Sequence, residues 1–270
     1  EIKRRVQDRL FDACREGSFK KTVDAITAGA DIQGTTLRGQ TPLMLAAASA
    51  NKQVLDTIRF LLDALADPEA KDNEGWTALL HACRNSGTEV AILLLDRSAS
   101  VKARANDGKS APMLASMDGG DQLTMELINR SAMVDKKDDR GWSVLFYASE
   151  GKRHELVKWL IKKNASVNEK AKDGLTPLMV AAQVGGTKIG EKLIKKGASI
   201  NAVNSQGWTA LMLSLKAHQE EFADMMVDEG ADIAPRNNMD EDSIDIAESM
   251  GLNGLRGKME MKLRLLHDEV

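Results

Sequence analysis

The sequence predicts an all-α solenoid, in which one helix-turn-helix unit recurs along the chain and stacks on its neighbours. The first observation is the regular spacing of seven equivalent positions, which are Thr41, Thr77, Ser110, Ser143, Thr176, Thr209 and Asp242. The first interval is 36 residues and each later interval is 33. The second is a glycine two residues before the first six of them, at Gly39, Gly75, Gly108, Gly141, Gly174 and Gly207. A fixed period in this range is typical of folds whose units bury their apolar faces only against each other.

The composition agrees with a stack of helices packed mainly through aliphatic side chains. Of 270 residues, 43% are hydrophobic and 4% aromatic, and the formal net charge is −3, which gives no overall attraction to nucleic acid. Cys14 and Cys83 are far apart in the chain, so we expect two free, buried thiols and a reducing compartment. We therefore expect an intracellular, cytoplasmic protein, with the nucleus as the alternative. No apolar run is long enough to predict membrane insertion, although the chain begins at Glu1, so a signal peptide could have been removed.

Each element of the unit has a local cause, which is clearest in the unit that begins at Gly174. The glycine supplies the backbone freedom of a tight turn, and Thr176 is placed to cap the first helix. Pro177 then takes the first helical position, where its missing N–H costs nothing. Gly185 ends this helix, and the second helix begins near Lys188 and presents Ile189, Leu193 and Ile194 at helical spacing. It ends at Gly197, which suits a left-handed C-cap.

These motifs resemble the ankyrin-repeat family. The helix start typical of that family occurs as Thr-Pro-Leu-Met at 41–44 and 176–179, and in relaxed form at 77–80 and 209–212. The glycine-alanine endings of its repeats occur at 29–32, 197–200 and 230–233. The histidine usual at the fourth position of the helix start is replaced by Met, Leu or Phe. Because that histidine bonds neighbouring loops in the family, its loss bears on loop rigidity and not on activity.

The resemblance implies a single ankyrin-repeat domain over 1–270, with hairpin-like turns between units. We expect capping repeats at 1–35 and 237–270, and six repeats between them at 36–71, 72–104, 105–137, 138–170, 171–203 and 204–236. In the first cap, Leu10, Phe11, Ala13 and Cys14 should face the core. The last stretch, 252–266, is expected to be a capping helix, with a partner-binding helix as the alternative. The three additional residues of the first interval fall near 50–52 or 64–68.

The family resemblance also implies where a partner would bind, namely the concave side formed by the turn tips and the exposed side of each first helix. The residue after each turn glycine should project there. Trp76, Trp142 and Trp208 occupy this position in alternate repeats, which predicts a stripe with members about 20 Å apart. Trp is enriched at binding hot spots, although the alternative is that each ring covers its own turn. The predicted contact residues are Trp76, Arg84, Lys109, Met117, Trp142, Glu150, Leu175, Gln183, Trp208 and Lys216, and Asp118 is expected beside them.

Charge is unevenly distributed along the chain. Residues 146–203 contain eleven Lys or Arg against five acids, whereas 217–248 contain eleven acids against Arg236 alone. These runs are solvated helix faces, or they steer a partner or join copies end to end. A phosphate- or membrane-binding patch is disfavoured, because acids are interleaved and we expect no aromatic ring among the lysines.

We find no pattern that predicts catalysis, a metal site or a cofactor. His81, His154, His218 and His267 lack zinc-ligand spacing, and the sequence 108–110 resembles the end of a phosphate loop without its upstream glycine or strand. The sequence therefore predicts a non-catalytic scaffold that binds a partner protein or peptide and is monomeric on its own, with no nucleic-acid partner. The alternatives are a structural subunit of a large assembly and a regulatory ankyrin segment of a larger multidomain protein.

Overall fold

A computed structural model describes residues 2–51, 53–85, 87–117, 119–130 and 132–268, with the side chains of 266–268 excepted. These residues form sixteen helices and no strand, apart from an isolated bridge between Arg104 and Ser110. The all-α prediction is therefore confirmed. The chain divides into two compact units, Glu1–Asp139 and Arg140–Val270, called unit 1 and unit 2 below.

Unit 1 contains the first eight helices, which are α1 (Ile2–Glu16), α2 (Phe19–Thr27), α3 (Pro42–Ala47), α4 (Val54–Asp63), α5 (Ala78–Arg84), α6 (Thr88–Asp96), α7 (Ala111–Met117) and α8 (Asp121–Asn129). The first helices of successive repeats, α1, α3, α5 and α7, pack side by side, and α2, α4 and α6 form a second layer. The core lies between the layers, where Leu43, Leu79 and Leu114 are fully buried. As expected, Leu10, Phe11, Ala13 and Cys14 belong to this core.

Unit 2 contains α9 (Val144–Glu150), α10 (His154–Lys162), α11 (Pro177–Val184), α12 (Thr187–Lys195), α13 (Ala210–Lys216), α14 (Glu220–Asp228), α15 (Ser243–Ser249) and α16 (Asn253–Asp268). Here α9, α11, α13 and α15 form one layer and α10, α12, α14 and α16 the other. The last helix packs on α14 and α15 through Leu255 and Met259, as a capping helix does.

The first helices begin where the repeat pattern predicts. The hydroxyl oxygens of Thr41, Thr77, Thr176 and Thr209 accept hydrogen bonds from backbone N–H groups three residues later, over 3.2 to 3.4 Å. Each bond satisfies one of the donors that a helix start leaves without a partner. At the degenerate position, the carboxylate of Asp242 does the same for Ile244 and Asp245, at 2.9 and 3.0 Å.

Successive turns are joined by backbone hydrogen bonds. In unit 1 the Asn106 N–H donates to the carbonyl of Glu74 over 2.9 Å, and in unit 2 the Ser205 N–H donates to that of Asp173 over 2.9 Å. A Cβ on Gly75, whose φ is +77°, would lie 2.9 Å from the Asn106 nitrogen, so this approach requires glycine. Although the family histidine is absent, Met44 and Met113 stand in its place, and their sulfurs accept the N–H of Thr41 and Ser110 at 3.4 Å.

Several second helices are followed by a residue in the left-handed conformation. At Gly197, with φ +83°, the Gly197 N–H donates to the carbonyl of Ile194 and the Ala198 N–H to that of Leu193, which is a Schellman motif and confirms the predicted C-cap. The same position is left-handed at Leu65, Ser98 and Asn164, which are not glycine.

The three additional residues of the first interval lie before the end of α4. The loop between α3 and α4 is longer than the corresponding loops, and α4 has ten residues where α6 has nine. The first of the two expected places, near 50–52, is therefore correct, although Lys52 itself lies outside the described residues.

Candidate functional site: two turn-tip pockets

The structure brings four of the predicted contact residues, Leu175, Gln183, Trp208 and Lys216, to one cavity of about 330 Å³ in unit 2. We call this cavity the Trp208 groove. It lies between two successive turns and the first helices that follow them. Its other lining residues are Asp173, Asn204, Ser205, Gln206, Leu213 and Met239.

The turn sequence positions Trp208 at the base of the groove. The side-chain oxygen of Asn204 accepts the N–H groups of both Gln206 and Trp208 at 2.9 Å, which closes the turn. Trp208 is 7% exposed, so its ring is held rigidly against the fold. Gln183 at the end of α11 and Lys216 at the end of α13 are exposed and form a polar edge.

Sequence reasoning missed six of the lining residues, and Met239 is the most exposed apolar one among them. It is 68% exposed and stands on the turn of the next repeat. A signal was present, because the equivalent positions before the turn glycine are charged or polar in every other turn, namely Arg38, Glu74, Asp107, Arg140, Asp173 and Gln206. The apolar Met239 therefore distinguishes this turn from the six others, and it lies at the lining of the groove.

A second cavity, of about 520 Å³, occupies the same place in a repeat of unit 1. We call it the Trp76 pocket. Its lining residues are Arg38, Gln40, Asp72, Asn73, Glu74, Trp76 and His81. Each of these residues occupies the same position in its repeat as one residue of the Trp208 groove. Taken in the same order, the equivalent groove residues are Asp173, Leu175, Asn204, Ser205, Gln206, Trp208 and Leu213. The repeat therefore forms the same depression twice, with different side chains.

The Trp76 pocket contains an ionisable pair that the Trp208 groove lacks. One carboxylate oxygen of Asp72 accepts the N–H groups of Trp76 and Glu74 at 2.8 and 3.0 Å, and the other lies 2.9 Å from Nε2 of His81. The side chains of Asp72 and His81 are 6% and 14% exposed. The imidazole and the half-buried Trp76 indole are 5.2 Å apart between centroids. In the groove, Asn204 and Leu213 replace this pair, so that cavity is neutral and apolar at its base.

A model of ankyrin repeats, in three copies, matches residues 10–105, 98–171 and 152–237. The chain belongs to the ankyrin-repeat family. Ankyrin repeats are generally protein–protein interaction modules and are typically non-catalytic. The predicted fold class, an all-α ankyrin solenoid, is thereby confirmed.

The ankyrin repeat does not project all three tryptophans as expected. Trp142 and Trp208 are each 7% exposed, so the expectation that their rings face solvent is wrong. The Trp142 ring packs 5.4 Å from Phe146 and 5.3 Å from Tyr147, and the Arg140 guanidinium lies 4.3 Å from its centroid. The apolar ring folds back onto its own first helix because that helix offers aromatic partners there.

The remaining predicted contact residues lie at separate places on the ankyrin repeats. In unit 1, the Arg84 guanidinium lies 3.8 Å from the Met117 sulfur, so these two share a surface. Lys109 is half-buried and ion-paired with Asp107 in its own turn, where hydrogen bonds from Lys109 outweigh burial and lower the pKa of the Asp107 carboxyl. Glu150 is exposed at the end of α9 and does not line the groove. Asp118 lies outside the described residues.

Both thiols of this ankyrin array are free and buried. Burial raises the pKa of the Cys14 thiol to about 12 and that of Cys83 further still. Within the described part of the chain, no group of three or more His, Cys, Asp and Glu residues is arranged to hold a metal ion. No described helix is long and apolar enough to cross a membrane.

Proposed function

We propose that this chain is a non-catalytic interaction scaffold whose Trp208 groove binds an apolar segment of a partner protein or peptide. The observation that carries the proposal is the convergence of Leu175, Gln183, Trp208 and Lys216 on one cavity, beside the exposed Met239. The family membership supports the same class of function, since ankyrin repeats generally bind proteins.

The chemistry of the groove suits an apolar anchor surrounded by polar contacts. Leu175, Leu213 and Met239 offer aliphatic surface, and the buried Trp208 gives a rigid base. Gln183 and Lys216 lie at the edge, where an amide and an ammonium can bond the backbone or a carboxylate of the partner. Apolar centres with polar rims are the usual anatomy of protein interfaces. A groove that is already formed avoids the ordering cost that weakens flexible binders.

Trp76, Arg84, Lys109, Met117, Trp142 and Glu150 remain predicted contact residues outside the groove. The Trp76 pocket is the strongest of these positions, since it repeats the groove's geometry with Arg38 and His81 at its lining. We propose that it contacts a polar or charged part of the same class of partner. The cytoplasmic location, the monomeric state and the single-domain division remain part of this proposal.

The test compares two methionine substitutions in unit 2. Met239→Lys places a charge in the groove, whereas Met261→Lys makes the same change on α16 at nearly equal exposure, 68% against 65%. Each variant and the wild type would be immobilised on beads and incubated with an extract of the source cells. The captured proteins would then be quantified by mass spectrometry. We expect a partner that is retained by wild type and Met261→Lys and lost by Met239→Lys.

With the purified partner, we expect Met239→Lys to weaken binding by about tenfold or more, because a charge is forced into an apolar contact. Thermal unfolding of both variants should match wild type, since both side chains are exposed. Identical captured proteins for the two variants would reject the groove as the site. A chain that elutes only within a large complex would favour the structural-subunit alternative, and a longer reading frame in the source transcript would favour the regulatory-segment alternative.

A further inference from the structure

The second helices of unit 1 are linked by salt bridges between successive repeats. Nη1 of Arg97 lies 2.7 Å from Oδ1 of Asp63, and Nη1 of Arg130 lies 2.7 Å from Oδ1 of Asp96. In each case the acid is the last residue of one second helix. The base is the residue that directly follows the second helix of the next repeat. We call this arrangement the charge ladder.

In unit 2 one rung of the ladder carries lysine on both sides, and in the next rung Lys195 stands at the position opposite Glu229 without a salt bridge to it. Lys162 and Lys195 stand where Asp63 and Asp96 stand in unit 1, and Lys196 takes the place of the arginine that would pair with position 162. With their neighbours they form a surface that we call the lysine ridge, consisting of Lys162, Lys163, Lys192, Lys195 and Lys196. Lys192 is half-buried and the others are exposed.

None of the ridge lysines forms an ion pair with a carboxylate among the residues that the structure describes. The Lys163 ammonium instead lies 5.2 Å from the centroid of the Trp159 ring. The helices that carry the ridge, α10 and α12, pack against each other. Packed helices are about 8–10 Å apart, which is within roughly one Debye length at physiological salt, so the ridge charges act together on an approaching anion.

The acidic end of the same unit is a poor match for this ridge on another copy of the chain. Six of the eleven acids in 217–248 already have internal basic partners, and Lys258, for example, bridges Asp224 and Asp228 at 2.5 and 2.7 Å. Arg236 similarly lies 3.0 Å from Asp242 and 3.4 Å from Asp245. A ridge on another copy would have to compete with these internal pairs, which disfavours end-to-end packing of copies.

The surroundings of the ridge favour a protein partner over a membrane or nucleic acid. Among the described residues of α10 and α12 no large apolar side chain is exposed, so the ridge lacks a group to insert between lipids. The expectation that no aromatic lies among these lysines was wrong, since Trp159 does. However, it is half-buried and the Lys163 ammonium lies over its ring, which leaves less of the ring for stacking a base.

We propose that the lysine ridge is a second binding surface, separate from the Trp208 groove, for a segment of a partner protein rich in Asp and Glu. Flexible ammonium groups on two adjacent helices suit carboxylates spaced along an extended chain, and they do not require the bidentate geometry that arginine provides. In unit 1 the carboxylates of Asp63 and Asp96 pair with the basic residues of the ladder. At the lysine ridge the carboxylates of the partner would take this role.

The test measures fluorescence anisotropy of a short fluorescein-labelled peptide of alternating Glu and Ser, titrated with the whole chain. The ridge variant combines Lys162→Gln, Lys163→Gln, Lys195→Gln and Lys196→Gln. The control variant makes the same change at four exposed lysines of unit 1 with no ion pair among the described residues, Lys20, Lys71, Lys102 and Lys136. Both variants have the same net charge, so only the position of the lost charges differs.

We expect the peptide to bind wild type and the control variant alike, more tightly at low salt, and to bind the ridge variant roughly tenfold more weakly. The corresponding Lys→Arg variant should retain binding, and Met239→Lys should too, which separates this surface from the groove. Equal weakening by the ridge and control variants would overturn the proposal, because it would reflect overall charge. So would phosphatidylserine vesicles or a DNA duplex that bind through the ridge as tightly as the peptide does.

Discussion

The Trp76 pocket and the Trp208 groove share seven positions of the repeat but differ in chemistry. The first has a buried Asp72–His81 pair and Arg38 at its lining, whereas the second has Asn204, Leu213 and Asp173 in the matching places. The backbone turn is the same in both, because Asp72 and Asn204 accept the same two N–H groups. The repeat thus determines where a depression forms, and a few side chains determine what it can bind.

The largest effect expected from this comparison concerns the two tryptophans at the bases. Trp208→Ala should lower the free energy of unfolding by about 3–5 kcal/mol, because it removes a buried ring, and Trp142→Ala should do the same. Trp76→Ala should cost less, about 1–2 kcal/mol, since that ring is half-buried. Urea unfolding of the three variants measures this. Equal losses at Trp76 and Trp208 would mean that the two depressions do not differ in rigidity.

A smaller effect on stability is expected at Asp72. It shows whether the turn requires a charged carboxylate or only an oxygen that accepts the two N–H groups. Asp72→Ala leaves the N–H groups of Trp76 and Glu74 without their acceptor and should cost about 1–3 kcal/mol. Asp72→Asn should cost much less, because Asn204 makes both bonds with an amide oxygen. Asn204→Ala is the matched control and should behave like Asp72→Ala in the same unfolding assay. A large loss for Asp72→Asn would show that the His81 contact carries the stability.

The ends of the second helices differ between the units in a way that predicts opposite outcomes. Leu65 in unit 1 has a left-handed φ of 64° and is 83% exposed, so Leu65→Gly should raise the unfolding free energy by about 1 kcal/mol. Gly197→Ala in unit 2 should lower it by about 1 kcal/mol, although its Cβ would meet no atom within 4 Å. Differential scanning calorimetry of the wild type and the two variants measures both changes in unfolding free energy. Two changes of the same sign would contradict the backbone explanation.

The charge ladder can be rebuilt where unit 2 lacks it. Lys162→Asp should pair with Lys196 as Asp63 pairs with Arg97, and a double-mutant cycle with Lys196→Gln should give a coupling of about 0.5 kcal/mol. The effect is small because both side chains are exposed, and it should decrease with added salt. The cycle Asp63→Asn with Arg97→Gln gives the reference value. Zero coupling at 162 beside a measurable one at 63 would mean that the two units do not share the ladder geometry.

The smallest expected effect is at alkaline pH and concerns the ion-paired carboxylates at the acidic end of unit 2. Hydrogen bonds to Asp224 and then Asp228 raise the pKa of the Lys258 ammonium above its ordinary value. A raised pKa in the folded state contributes stability that is complete below the unfolded value of about 10.4 and is lost as pH rises through the folded one. The stability difference between wild type and Lys258→Met should therefore be constant near neutral pH and shrink above about pH 10.4. If the stability difference persists well above that pH, it comes from packing of the side chain and not from the charge of the ammonium.

Much of the fold could be predicted from the sequence because its causes are local and repeated. Thr176, Pro177 and Gly197 act through their own backbone and nearest turns, so their roles were predictable from spacing. The groove was half predictable, since Leu175 and Trp208 follow turn glycines. Its Met239 comes from the next repeat, and the burial of Trp142 depends on Phe146 and Tyr147. Whether a side chain turns toward solvent or the core depends on such neighbours, which a repeat position alone does not specify.

The hydrogen bond between successive turns also bears on how such a chain can change over evolution. It joins the Asn106 N–H to the carbonyl of Glu74, and in unit 2 the Asn238 N–H to that of Gln206, so it uses backbone atoms alone. A substitution at a turn tip leaves the bond in place unless it introduces proline as the donor or alters the glycine. Arg38, Glu74, Asp173 and Met239 can thus occupy one structural position at little cost. Mutation can redesign the recognition surface while the architecture underneath stays the same.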